Sequence, residues 1–149
     1  MEKEIYMQKA IELAEEAANN GEVPVGAVII DSKGNIIGRG RNRCEQKGAT
    51  RHAEMEAIEA ATEEFGDWRL SECTMFVTLE PCPMCAGAII NARIPTLVYG
   101  AKEERSGSVG SVINLFEENY GFKPKVYGGV LENKSKELLQ KFFQKKREE

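Results

Sequence analysis

CTMFVTLEPCPMCAGAIINA, residues 73–92, carries a strand, a break and a helix in one short run. CTMFVTL (73–79) is apolar and β-rich, the pattern of a buried strand. Glu80-Pro81 ends it, and CPMCAGAIINA then reads as a helix whose first turn carries Cys82 and Cys85. A strand passing directly into a helix is the building unit of an α/β protein.

The alternation continues on both sides. Residues 3–19 place Tyr6, Ala10, Leu13, Ala14 and Ala17 at helical spacing, and Asn20-Gly21 supplies a stop. VGAVII (25–30) is a short strand, 31–35 a turn, and 36–38 the second strand of a hairpin. RGRNRCEQKGAT (39–50) reads as irregular. Helical spacing resumes over 52–65 through Met55, Ala57, Ile58 and Ala61. TLVYGA (96–101) is another strand, 109–116 a helix, 125–130 a weak strand interrupted by Gly128-Gly129, and 134–147 a closing helix. These elements predict an α/β/α sandwich with helices on both faces of one sheet, and the hairpin makes that sheet mixed.

Composition narrows the class. The 149 residues, 42% hydrophobic and 30% charged, suit one globular domain spanning 1–149. No apolar run approaches the roughly 20 residues a membrane helix needs. MEKEIYMQKA lacks the basic head and apolar run of a signal peptide, so a cytoplasmic location with reduced thiols is expected. A net charge of −4 argues against a protein that coats nucleic acid generally, though not against one with a local basic face.

Cysteines at i and i+3 on a first helical turn share a face, and the helix N-terminus favours their thiolates. Structural zinc sites take four protein ligands, whereas catalytic ones take three and leave one place open. His52, in RHAEMEAI (51–58), is the chain's single histidine and the available third ligand. Glu54 lies two positions on, and i and i+2 point apart along a continuous helix. Histidine and carboxylate converge only if His52 opens its helix, so the site is expected at helix ends. Glu54 is then placed to move protons as general base and acid.

Other readings exist for each half. A lone histidine is often a surface or capping group, and CxxC opening a helix after a strand is also a redox pattern. A zinc-stabilised binding module is a third possibility, against which Glu54 argues because a structural site needs no proton carrier. The joint pattern, HxE followed by PCxxC across one strand, is far more specific than either part. Cys44 and Cys73 have no evident chemical role.

On these motifs the sequence resembles the zinc-dependent cytidine/adenosine deaminase superfamily, whose bacterial tRNA-specific adenosine deaminases it matches along nearly the whole chain. GEVPVGAVI (21–29), HAE (52–54), WRL (68–70), VTLEPCPMCAGA (77–88), ARIPTLVYGA (92–101), SGSVGS (106–111), GVLE (129–132) and LLQKFF near the end carry the resemblance. It implies a homodimer with a five-stranded mixed sheet, and one zinc ion per chain held by His52, Cys82 and Cys85. Glu54 would be the proton shuttle. Asn42 would bond the target base, and backbone near Val25 and Ala53 would line the pocket. The implied reaction is hydrolytic loss of ammonia from C6 of adenine, leaving inosine at the tRNA wobble position.

Between Gly38 and Arg51, Arg39, Arg41, Arg43, Lys47 and Arg51 stand against one acid, Glu45. In an extended backbone the arginines would share one face and Asn42 the other, a basic surface beside a base pocket. The last helix adds Lys134, Lys136, Lys141, Lys145, Lys146 and Arg147 against Glu137. Arg51, Glu103 and YGFKP (120–124) depart from the family pattern, which leaves a small-molecule deaminase of guanine, cytosine or a nucleoside as the alternative.

Overall fold

Alternation along the strands decides how the layers form. In the computed structural model, which describes residues 2–149, Val28, Ile30, Phe76 and Val98 pack on one sheet face against Met7, Ala10 and Ile11. Ala27, Ile29, Met75, Val77 and Leu97 point the other way, onto Ala53, Ala57, Ala61, Ala86 and Ile89. Two apolar faces need two helical layers, and the chain supplies them as α1 (Lys3–Asn19) with α5 (Glu132–Glu148), and α3 (Ala53–Phe65) with α4 (Pro83–Asn91).

The sheet comprises β1 (Gly26–Ile30), β2 (Ile36–Arg41), β3 (Thr74–Leu79), β4 (Thr96–Ala101) and β5 (Lys125–Tyr127), in the order β2-β1-β3-β4-β5. β1 runs antiparallel to β2 and β3, while β3, β4 and β5 are parallel. The expected three-layer sandwich with a mixed five-stranded sheet is therefore the observed fold.

Two expectations fail locally. The hairpin's second strand runs on to Arg41, because an edge strand tolerates the polar residues that made 39–41 read as irregular. Beyond it, α2 (Cys44–Lys47) is a single helical turn. The helix expected over 109–116 does not form. Val109 bridges Asn114, and only Leu115–Glu117 is a 3-10 turn. Amides that a helix would use internally turn back instead, Ile113 N–H to Gly107 O and Leu115 N–H to Ser108 O, while those of Val109 and Ser111 are bonded to Glu80.

Candidate metal centre

β2 and β3 both run antiparallel to β1 and so point the same way, which brings the starts of α3 and α4 to the same end of the sheet. His52 is the N-cap residue of α3 and Cys82 that of α4, both with extended backbone. Cys85 lies in the first turn of α4, buried. The site sits at helix ends, as the HxE spacing required.

The three donor atoms lie within 4.8 Å of one another. His52 Nδ1 is 3.6 Å from Cys82 Sγ and 3.5 Å from Cys85 Sγ. A tetrahedral zinc ion with its usual bond lengths sets such N···S separations at about 3.6 Å. Two thiolates and one imidazole thus fit zinc in type and spacing, and no fourth histidine, cysteine or carboxylate joins the cluster among the described residues. No helix there is long and apolar enough to cross a membrane.

The electrostatics follow from proximity. Cys85 keeps its proton and shares it with Cys82, whose thiol drops to about 4 through that hydrogen bond and the one from His52. The bond to Cys82 in turn raises His52. Glu54 is 4% exposed, and burial pushes its carboxyl up to about 7.

Asn42 is placed by backbone closure. Its N–H donates to the Val25 carbonyl at 3.1 Å, and Arg43 N–H reaches Arg51 O at 2.9 Å, closing the 43–51 loop. Asn42 Oδ1 accepts the Ala53 N–H at 2.9 Å. A cavity of about 220 Å³ is lined by Asn42, Val25, Cys44, His52, Glu54 and Cys82, with Glu103 and Ser106 across it. Ala53 is buried behind the wall and contributes the N–H already named.

Two expectations are corrected here. Cys44, read as incidental, lines the cavity. The basic stretch is not a free basic face: Arg41 is buried with its Nε 3.2 Å from Glu16, Arg43 lies 2.9 Å from Glu56, and Arg51 2.7 Å from Glu59. Arg41, the buried one, needs its carboxylate, whereas Arg43 and Arg51 are half-exposed; the partners lie on α1 and α3. Arg39 and Lys47 remain exposed.

Sequence reasoning missed two glutamates. Glu22, 1% exposed, accepts the Glu45 and Gln46 N–H groups at 3.0 and 3.1 Å and so caps α2, which carries Cys44. Glu80 is 2% exposed and sits beside the ligand turn. A single acid one or two residues ahead of a proline, as in LEPC and GEVP, is the signal that could have found both.

Comparison with known proteins agrees with this geometry. The MafB19-like deaminase family matches residues 1–147. The tRNA-specific adenosine deaminase of Bacillus subtilis is 42% identical over 97% of this chain and 90% of its own length. A tRNA(Ile)-lysidine synthase of Deinococcus radiodurans is 46% identical over 92% of this chain, which spans only 24% of that relative. Among solved structures, a tRNA:A34 deaminase studied for A-to-I editing at the wobble position superposes with a TM-score of 0.85 and 41% identity, over 90% of this chain and 98% of that one. With its fold, its His/Cys/Cys cluster and nearly all of its length accounted for in this way, the chain belongs to the MafB19-like deaminase family.

Proposed function

We propose that this chain is a single deaminase domain that hydrolyses adenosine to inosine at the wobble position of a tRNA anticodon. The observation that carries the reading is an open three-donor cluster beside a buried carboxylate, in a chain 42% identical to a full-length tRNA-specific adenosine deaminase. A zinc ion held by His52, Cys82 and Cys85 would supply Lewis-acid activation of water.

The protein's own groups do the rest. Glu54, buried beside the ligands in the cavity wall, takes a proton from the attacking water at its carboxylate oxygen and delivers it to the departing amine. Because Asn42 Oδ1 is committed to Ala53, its amide Nδ2 is the group left to donate to the base. The cavity's 220 Å³ falls below the roughly 300–1,000 Å³ of drug-sized sites, which suits a single flipped nucleobase.

RNA recognition has support on α5. Phe142, Phe143 and Lys146 flank a neighbouring cavity that shares Val23, Asn42 and Cys44 with the first, and Lys141 and Lys145 are exposed nearby in sequence. Aromatic surface with basic residues is what a splayed single-stranded loop binds. A homodimer in the cytoplasm completes the reading, consistent with four free cysteines.

A second reading, deamination of a free base or nucleoside, is favoured by the pairing of Arg41, Arg43 and Arg51 with acids, which removes charge expected to meet phosphate. Zinc-loaded protein is offered an anticodon stem-loop with a wobble adenosine, adenosine, guanine and cytosine, and released ammonia is measured. Turnover of the stem-loop alone supports editing of tRNA. Turnover of a free base with the stem-loop untouched overturns it.

A further inference from the structure

The turn that carries Cys82 is bonded to the opposite wall of the cavity through one buried side chain. Glu80 directly follows β3, two residues before Cys82. Its Oε1 accepts the Glu103 N–H at 3.1 Å and the Ser111 hydroxyl, and its Oε2 accepts the N–H groups of Val109 and Ser111, each at 3.1 Å. Four donors on two oxygens fill the carboxylate's main lone-pair directions, so Glu80 is not a second acid or base for the reaction. It is an acceptor for segment 103–111, which has no regular element to absorb its own amides.

That segment matters because Glu103 and Ser106 line the same cavity as His52, Glu54 and Cys82. Backbone bonds reinforce the link: Glu80 N–H donates to Ala101 O at 2.8 Å, and Ser108 N–H to Pro81 O at 2.9 Å. Gly107 passes so close to the Glu80 carboxyl and the Glu103 carbonyl that a Cβ there would overlap both. The segment is packed onto this one carboxylate with no spare room.

The geometry points to Glu80 as a positioning residue that fixes the Glu103–Ser106 wall against the catalytic side, and thereby sets how the substrate is held. This rests on the deaminase reading of the site. Removal of the carboxylate leaves three backbone amides and a hydroxyl without their acceptor, and the wall loosens while the three metal-binding side chains stay on their own helices.

The test compares wild type, Glu80→Gln and Ser111→Ala in the zinc-loaded full chain. Zinc content, amide hydrogen exchange over 103–111, and KM and kcat on the anticodon stem-loop are read together. The expected result for Glu80→Gln is zinc retained, exchange at Glu103, Val109 and Ser111 at least tenfold faster, and KM raised at least tenfold with kcat lowered less than threefold. Unchanged exchange, or faster exchange with wild-type KM, overturns the role. If Glu80→Gln does not fold, Ser111→Ala decides alone: a rise in both exchange rate and KM of threefold or more supports it, and wild-type values overturn it. A wild-type protein inert on every nucleobase sinks the deaminase reading instead, and the exchange data still decide whether Glu80 holds the wall.

Discussion

The side-chain oxygen of Asn42 holds the backbone N–H of Ala53, the residue next to His52, at 2.9 Å. No side chain caps α3 from its own N-cap position, so a residue eleven positions earlier supplies the missing acceptor. One amide group thereby orients the helix start that presents the imidazole and leaves its nitrogen for the base.

Asn42→Ala and Asn42→Asp separate these two duties. The alanine variant loses the acceptor and should cost about 1 kcal/mol of stability, measured by urea denaturation. The aspartate variant keeps an acceptor at a helix N-terminus and should match wild-type stability. Both should lose 100-fold or more in kcat/KM, on the order expected when a positioned donor is removed. An active aspartate variant would mean that the nitrogen does not meet the substrate.

Glu54→Gln should abolish turnover, by about 10²–10⁴-fold, with zinc content unchanged. Its effect on the metal-free protein has the opposite sign. The folded Glu54 carboxyl titrates at about 7 against an ordinary 4.5, so the folded state binds that proton more tightly. The resulting stabilisation is complete below pH 4.5 and is lost as pH rises through 7. At pH 8 the glutamine variant should therefore melt a few degrees above metal-free wild type, and at pH 4.5 the gap should close. Equal melting temperatures at pH 8 would show that burial of the charge carries no such penalty.

Cys82, lowered to about 4 by its bonds to Cys85 and His52, should be a thiolate throughout the neutral range once metal is removed. Burial raises Cys44 and Cys73, and the bond to Cys82 raises Cys85. Iodoacetamide at pH 6 should give one adduct, at Cys82, with a rate flat from pH 5.5 to 7.5 and suppressed by added zinc. A rate climbing tenfold per pH unit would place an ordinary thiol there.

Gly40→Ala should disconnect the site from the sheet. A Cβ at Gly40 would enter the space of the Ala53 carbonyl oxygen, which lies one residue past His52. The substitution pushes α3 outward and should cost about 1–3 kcal/mol, with zinc affinity falling in parallel. Wild-type zinc affinity in a destabilised variant would show that the helix start moves independently of β2.

If RNA is held through α5, Lys145→Gln with Lys146→Gln should lower stem-loop affinity and reduce the salt slope by about 0.7 for each phosphate no longer neutralised. Arg41→Gln should instead reduce stability and leave the slope alone, since Arg41 is buried and tied to Glu16 of α1. A slope insensitive to both lysines would direct attention to free nucleobases as substrates.

The sequence discloses local order well here. The apolar, β-rich run at 73–79 announces a strand, and His52, Glu54, Cys82 and Cys85 are legible because their spacing only makes sense at helix starts. Partners far apart in the chain stay hidden. The 109–116 segment has helical-looking spacing, yet the amides of Ile113 and Leu115 turn back to Gly107 and Ser108, while Glu80, 29 residues before Val109, holds that residue's amide. Arg41 and Arg43 read as solvent-facing until Glu16 and Glu56 fold over them. Cys44 looked idle because the loop that returns it to the cavity is closed by a backbone bond between Arg43 and Arg51.

X-ray absorption at the zinc edge of the purified protein tests the proposed centre most directly. The expected spectrum has one zinc per chain with two sulfur ligands at about 2.3 Å and two nitrogen or oxygen ligands near 2.0–2.1 Å, one of them exchanged by an added small anion. A shell of three or four sulfurs, or a fourth ligand that no anion displaces, would contradict an open hydrolytic site.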